Sequence, residues 1–287
     1  MRNTGTESRQ IAVRERQVVV DERVALHVRV WPGGDGPPFL LVHGLASNCR
    51  TWNGVATRLH ELGHAVAAVD QRGHGLSDKP DEGYDFPTLC RDQLRVMDAL
   101  GFDRPVVAGQ SFGGNVMLEL AHRAPERVAR MAGVDGGLIE LSRQFPRWDD
   151  CAAAMAPPPL AGTPAADVEE WLRREHPEWP DDGIAATMGN FEVLPDGTLR
   201  PWLGRNLHMR LLRALWEHRP SKLVNDLHVP VLFAFADSDD GFAEARRRMA
   251  AGVEGLAHVR VEWFSPGDHD LHVQYPGQLA ELLHEGS

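Results

Sequence analysis

With 287 residues, 43% of them hydrophobic and 25% charged, the chain has room for one large α/β domain or for a core domain carrying an insertion. Its formal net charge of −11, from 41 acidic and 30 basic residues, argues against a general nucleic-acid surface, which needs clustered Lys and Arg. The longest apolar run, Val229 to Ala236, is far too short to span a bilayer, so no membrane insertion is expected.

Taken in order, the chain opens on Met1 to Arg16, a polar stretch with no apolar core of the kind a secretory leader needs. Val18–Val20 and Ala25–Trp31 alternate apolar and polar residues around Asp21-Glu22, the pattern of an antiparallel hairpin. Phe39–Val42 is a continuous apolar run of buried-strand type. It runs into His43-Gly44-Leu45-Ala46, and helical spacing follows from Thr51 to Leu62. Ala65–Asp70 is the next strand and leads into Gln71-Arg72-Gly73-His74-Gly75-Leu76-Ser77. Leu89, Leu94, Met97 and Leu100 give Pro87–Leu100 a helical stripe with proline near its start. Pro105–Ala108 reads as a strand, Asn115–Ala124 as a helix, and Val128–Val134 as another strand. Strands alternating with helices predict a mostly parallel sheet with right-handed crossovers.

The rhythm changes after Gly136-Gly137. The segment 138–226 carries five of the eight tryptophans and the Pro157-Pro158-Pro159 run. Within it, Thr163-Pro164 opens a helix reaching Glu175, Pro195-Asp196-Gly197-Thr198 signals a hairpin, and Leu207–His218 is helical. Strand alternation resumes at Val231–Ala236, followed by a helix over Phe242–Ala251, a strand at Val259–Phe264 and a last helix from Pro276. The reading is therefore a core domain made of 1–137 and 227–287, with 138–226 an inserted, mainly helical cap. The cysteines, Cys49, Cys90 and Cys151, are odd in number and widely spaced, which points to reduced thiols in a cytoplasmic protein and offers no metal-ligand spacing.

The most informative stretch is Gly109-Gln-Ser-Phe-Gly113. Between a strand and a helix, Ser111 must sit on a strained turn, with glycine on both sides because larger residues would collide with the flanking elements. The following helix aims its free N–H groups at the serine oxygen.

Together with His43-Gly44, Asp70-Gln-Arg-Gly-His-Gly-Leu-Ser77 and Gly267-Asp-His269, this pentapeptide resembles the α/β-hydrolase fold family over nearly the whole chain outside the cap. The resemblance implies Ser111 as nucleophile and His269 as base, with a carboxylate after a strand end to orient the imidazole. Asp239 is the expected acid, three residues after Ala236, where the family usually has glycine; Asp135, after the strand at 128–134, is the alternative. The oxyanion donors implied are the backbone N–H groups of Leu45 and Phe112. His43, Asp70 and Arg72 read as scaffold, and His60, His122, His218 and His284 fall on expected helix surfaces. Asn48, Trp52, Phe145, Trp148 and His208 are candidates to face a substrate pocket, and the cap tryptophans with Met155, Met188 and Met209 are expected to form the cap's own small core.

The resemblance implies a serine hydrolase cleaving a small or medium, largely apolar carboxylic ester, with no metal or organic cofactor. Serine at position 111, where haloalkane dehalogenases and epoxide hydrolases carry aspartate, argues against those chemistries. Lactone, thioester or carbon–carbon bond hydrolysis, a lyase, or a non-catalytic ligand-binding role remain open on sequence.

Overall fold

The structure, a computed structural model, describes residues 13–285, so the reading of the polar N-terminus lies almost wholly outside the described residues. Eight strands form one sheet: β1 (Arg14–Asp21), β2 (Val24–Trp31), β3 (Gly36–Val42), β4 (His64–Val69), β5 (Val106–Gln110), β6 (Arg130–Val134), β9 (Val231–Ala236) and β10 (Val259–Phe264). A separate two-stranded hairpin, β7 (Phe191–Val193) with β8 (Leu199–Pro201), lies at the expected Pro-Asp-Gly turn. The sheet order is β1-β2-β4-β3-β5-β6-β9-β10. β2 pairs antiparallel with both β1 and β4, and every later neighbour is parallel.

The central strands are apolar on both faces because helices cover both. Alternation divides each strand between two cores. Leu40, Val42, Val107, Phe233 and Phe235 enter one, packed against the helices Phe86–Leu100 and Phe112–Arg123 through Leu89, Met97, Val116 and Leu120. Phe39, Leu41, Val106, Ala108 and Leu232 enter the other, against Val55, Leu59, Leu279 and Leu283 of Asn53–Glu61 and Pro276–His284. Truncating a side chain as buried as Phe233 to alanine would cost about 3–5 kcal/mol. Helix 86–100 begins where the Asp85 carboxylate accepts from the Thr88 N–H at 2.9 Å, and stops at Gly101, whose φ of 70° suits glycine.

Between β6 and β9 the chain leaves the sheet through Leu141–Gln144, Trp148–Ala154, Ala165–Glu175, Asp181–Met188, the β7–β8 hairpin and Arg205–Glu217. The first two and the fourth of these helices carried no clear signal in the sequence. Part of this segment has a core of its own, where Val168, Leu172, Trp179, Ile184 and Leu199 meet Val273, with Met188 against them. The expectation of one self-contained cap core is corrected, however. Trp148, Met155, Met209 and Trp216 pack instead against the main core cluster, reached through Leu211, Leu212 and Leu215. Asn115 ties the entry to this segment to the sheet, accepting from Gly137 N at 3.0 Å and donating to Ile139 O at 2.8 Å. His218, expected on a surface, is buried at the exit, within 3.0 Å of the Asn115 amide and 3.1 Å of Glu119. Among the described residues no helix is long and apolar enough to cross a membrane.

Candidate active site

Parallel strands expose their carboxyl ends on one side of the sheet, and the site is assembled there from the turns after β3, β5, β6, β9 and β10. After β5, Ser111 takes φ 49° and ψ −119°, a region that L-residues rarely occupy and that costs about 1–3 kcal/mol to hold. Close packing holds it. A Cβ on Gly109 would lie 2.2 Å from Gly113 O, and one on Gly113 would lie 2.4 Å from Val42 O. The Ser111 N–H donates to Val134 O at 2.9 Å, and the helix Phe112–Arg123 starts at the next residue. Among the described residues, neither Phe112 N nor Leu45 N donates to another group. Leu45 and Ser111 line the same cavity. The loop carrying Leu45 is braced from below: His43 Nε2 accepts from Gln71 N at 3.1 Å, and Ala46 N, on a residue with φ 59°, donates to His74 Nε2 at 3.2 Å. Burial pulls both imidazoles down, so both brace as neutral rings.

His269 follows β10 on a loop held from three sides. Gln110, beside the serine, donates to His269 O at 3.1 Å. The Asp268 backbone N–H donates to Gln274 Oε1 at 2.8 Å. The Asp268 carboxylate accepts from Trp179 Nε1 at 2.6 Å and lies 3.2 Å from His176 Nδ1, so the chain between β6 and β9 grips the loop directly. The imidazole is 46% exposed, which opens it to the cavity it shares with Ser111. Ser111 Oγ and His269 are not hydrogen-bonded to each other among the described residues.

The acid is where the main expectation fails. Asp239 is exposed on the loop after β9 and makes no contact with His269. The imidazole instead meets Asp135, the sequence alternative, whose Oδ2 lies 2.6 Å from His269 Nδ1. Asp135 reaches it because the residue leaves β6 at φ 42° and its carboxylate is buried between β9 and the helix Ala243–Ala251. Oδ1 accepts from Ala236 N at 3.1 Å and from Arg246 Nε at 2.7 Å, and Oδ2 from Arg246 Nη2 at 2.7 Å. Burial opposes ionisation of Asp135, but the His269 and Arg246 hydrogen bonds outweigh it and hold the carboxyl below its ordinary range. Partial burial likewise opposes charging of His269, yet the Asp135 hydrogen bond, aided by the charges of Asp270 and Asp135, raises the imidazole above its ordinary value. With Nδ1 engaged by Asp135, Nε2 is the ring nitrogen left for another partner.

The cavity over Ser111 has a volume of about 510 Å³. Its wall is mainly apolar, with Leu138, Ile139, Met155, Leu212, Leu215 and Val253 among its residues. Of the five residues proposed from sequence to face it, His208 does, held neutral by burial at a pKa of about 4. Asn48 is bonded to Ala186 O and Asn190, and Trp52 is buried against His272, so both serve the scaffold. Phe145 and Trp148 pack against the core cluster. Asp70 accepts from Cys49 N and Leu76 N, and Arg72 forks onto Asp92 at 2.6 and 2.7 Å, which accounts for both as framework. His27, Cys49 and Asp70 bring potential metal-ligating atoms within 4.8 Å of one another. Asp70 is already spent there on backbone N–H groups and on His27 at 2.9 Å, and burial keeps the Cys49 thiol protonated.

A family model described as the alpha/beta hydrolase fold matches residues 37–175. The crystal structure of E-2-(acetamidomethylene)succinate hydrolase superposes with a TM-score of 0.77 at 24% identity, over 96% of this chain and 98% of that one. The chain has the α/β-hydrolase fold. The 2-(acetamidomethylene)succinate hydrolase of Mesorhizobium japonicum is 30% identical to this hydrolase-fold chain over 185 residues, 62% of each. An uncharacterised Mycobacterium tuberculosis protein is 36% identical over 104 residues, a match spanning 36% of this chain and 30% of the relative.

Arg246 escaped the sequence reading altogether. A signal existed: Phe242, Arg246, Met249 and Val253 recur at helical spacing, and all four line the cavity. An arginine in an apolar stripe needs a buried anion, and Asp135 is that anion.

Proposed function

We propose that the protein is a serine hydrolase that cleaves a small or medium, largely apolar carboxylic ester through an acyl-enzyme. The observation that carries this reading is the 2.6 Å contact between His269 Nδ1 and Asp135 Oδ2 beside a serine on a strained elbow in the same cavity. Ser111 Oγ attacks the ester carbonyl as its proton passes to His269 Nε2, and Asp135 stabilises the imidazolium that forms. The Leu45 and Phe112 N–H groups receive the developing oxyanion, a donor pair of a kind where each member is worth roughly 10²–10³ in rate. His269 then hands the proton to the departing alcohol. Water, deprotonated by the same nitrogen, attacks the acyl-enzyme and releases the carboxylic acid and free Ser111. The apolar wall favours an uncharged acyl or alcohol group, and a volume of about 510 Å³ suits a ligand of medium size. Similarity to a relative named as a hydrolase supports hydrolysis as the reaction class.

The test is activity-based labelling with a fluorophosphonate, followed by a panel of p-nitrophenyl esters. One label should be added and lost in Ser111→Ala while that variant stays folded. Persistent labelling in Ser111→Ala would remove the nucleophile assignment, and labelling without turnover of any ester would move the substrate to another acyl class.

A further inference from the structure

The Asp135–His269 pair does not stand alone. Arg246, itself only 3% exposed at its side chain, uses all five of its guanidinium N–H groups. Nε and Nη2 fork onto the two oxygens of Asp135, while Nη1 and Nη2 fork onto Asp240 at 2.7 and 2.8 Å, and Nη1 also donates to Ser238 Oγ at 3.1 Å. The four lone-pair positions of Asp135 are filled in turn by Ala236 N, Arg246 twice, and His269. The result is a row of alternating charge, Asp240, Arg246, Asp135 and His269, running from the loop after β9 to the imidazole.

We propose that Arg246 and Asp240 are positioning residues for the hydrolytic centre: Arg246 locks Asp135 in the one rotamer that turns Oδ2 to His269, and Asp240 offsets the guanidinium charge so that Asp135 keeps its hold on the imidazolium. The inference rests on the serine-hydrolase reading above. A bare guanidinium bonded to both oxygens of the acid would draw charge away from the imidazole. Asp240, 34% exposed and on the outer fork, returns the cluster toward neutrality. The pair also explains why the β9 loop does not supply the acid, since its Asp240 is held on the far side of Arg246 from the imidazole.

The two roles predict opposite electrostatic effects, which a merely structural ion pair would not produce. The other titratable groups on or against its own loop are Asp268, Asp270 and His176, the last 3.2 Å from Asp268, while Glu140, Arg143 and Arg248 line the cavity that the imidazole shares. The neutral ring of His272 lies close enough to sense the His269 charge, and that of His208 lines the same cavity. All of these stay constant in the comparison.

The experiment is the pH profile of kcat/KM for p-nitrophenyl butyrate, with the rate of fluorophosphonate labelling as a second readout. Asp240→Asn should move the acid limb down by about half to one pH unit, and Arg246→Met should move it up by a similar amount. Arg246→Lys keeps the charge but cannot fork onto two carboxylates, so it should leave the limb in place and lower kcat by roughly tenfold or more. If Arg246→Met does not fold, the exposed Asp240→Asn decides alone. An unmoved limb in Asp240→Asn, or one that moves up, overturns the proposal even if the melting temperature falls, and unchanged kcat in Arg246→Lys overturns the positioning half. The parent reading fails separately, through Asp135→Asn retaining activity.

Discussion

Replacing Asp135 by asparagine is the sharpest perturbation the site offers, because the hydrogen-bond pattern dictates how the amide must sit. Two obligatory donors, Ala236 N and Arg246 Nε, meet Oδ1 at 3.1 and 2.7 Å. An asparagine at 135 therefore keeps its carbonyl there and places its NH₂ where Oδ2 was. That NH₂ confronts Arg246 Nη2, which cannot accept, and His269 Nδ1, which can if its proton moves to Nε2. The imidazole then shows Ser111 a donor instead of an acceptor, and the base is blocked. In a related triad the same exchange costs about 10⁴ in kcat, equivalent to about 5 kcal/mol of transition-state stabilisation.

Stability should fall too. One charge-assisted bond from Arg246 is lost, worth about 2–3 kcal/mol, which for a chain of this size lowers Tm by roughly 4–12 °C. Steady-state kinetics well below the melting transition separate the two effects. Asp135→Asn should retain about 10⁻³ to 10⁻⁴ of wild-type kcat, with Asp239→Asn within roughly tenfold of wild type. Three or more orders of magnitude lost in Asp239→Asn, with Asp135→Asn nearly intact, would refute the assignment of the acid and the rotamer argument with it.

Activity should rise with pH through an acid limb lying above about 6.5, because His269 must be neutral to act and its pKa is raised; a limb centred below 6 with chemistry rate-limiting would contradict this. The raised imidazole stabilises the fold below its unfolded value and loses that contribution as pH climbs through its folded one, so thermal stability should decline slightly where activity rises, which differential scanning across pH 6–8 measures. Asp135 and Asp240, the latter held down to about 2 chiefly by Arg246, carry the opposite sign: their contribution is present above about pH 4 and is lost as pH falls below it, visible as a steep acid drop in Tm. Gly136→Ala would put a Cβ 2.3 Å from Ser111 O and 2.5 Å from its N, so the variant should express insoluble or melt far below wild type; wild-type melting would disprove the packing. Leu212→Trp, projecting into the cavity, should lower kcat/KM for p-nitrophenyl decanoate at least tenfold relative to the acetate, and an unchanged chain-length profile would place the acyl group elsewhere.

The positions of the sheet strands along the chain were legible because each signal is local. Continuous apolar runs such as Phe39–Val42 and Val231–Ala236 can be buried on two faces only by a covered, mostly parallel sheet, and that is where they lie. The Ser111 elbow was legible for the same reason, since the two glycines it needs are two residues away on either side. The segment 138–226 was less so. Leu141–Gln144 and Trp148–Ala154 are one or two turns long, too short for periodicity to register. Whether Trp148 or Trp179 faces its own segment or the core depends on how that segment lies across the sheet, which no short window of residues encodes.

The acid was hidden by topology. β6 and β9 are neighbouring parallel strands, with Val134 opposite Ala234, so their carboxyl ends open side by side and either following loop is close enough to serve an imidazole arriving from β10. Spacing along the chain cannot choose between two loops that the sheet makes equivalent. What breaks the equivalence is a side chain from a third element. Arg246 inserts its guanidinium between the two acidic loops, forks inward to Asp135 and outward to Asp240, and so fixes which carboxylate meets the histidine and which remains its counter-charge. Three arginines stand in a row at 246–248, and only the first is buried. The choice of acid therefore rests on the rotational setting of one helix, a tertiary fact that a strand-end motif does not contain.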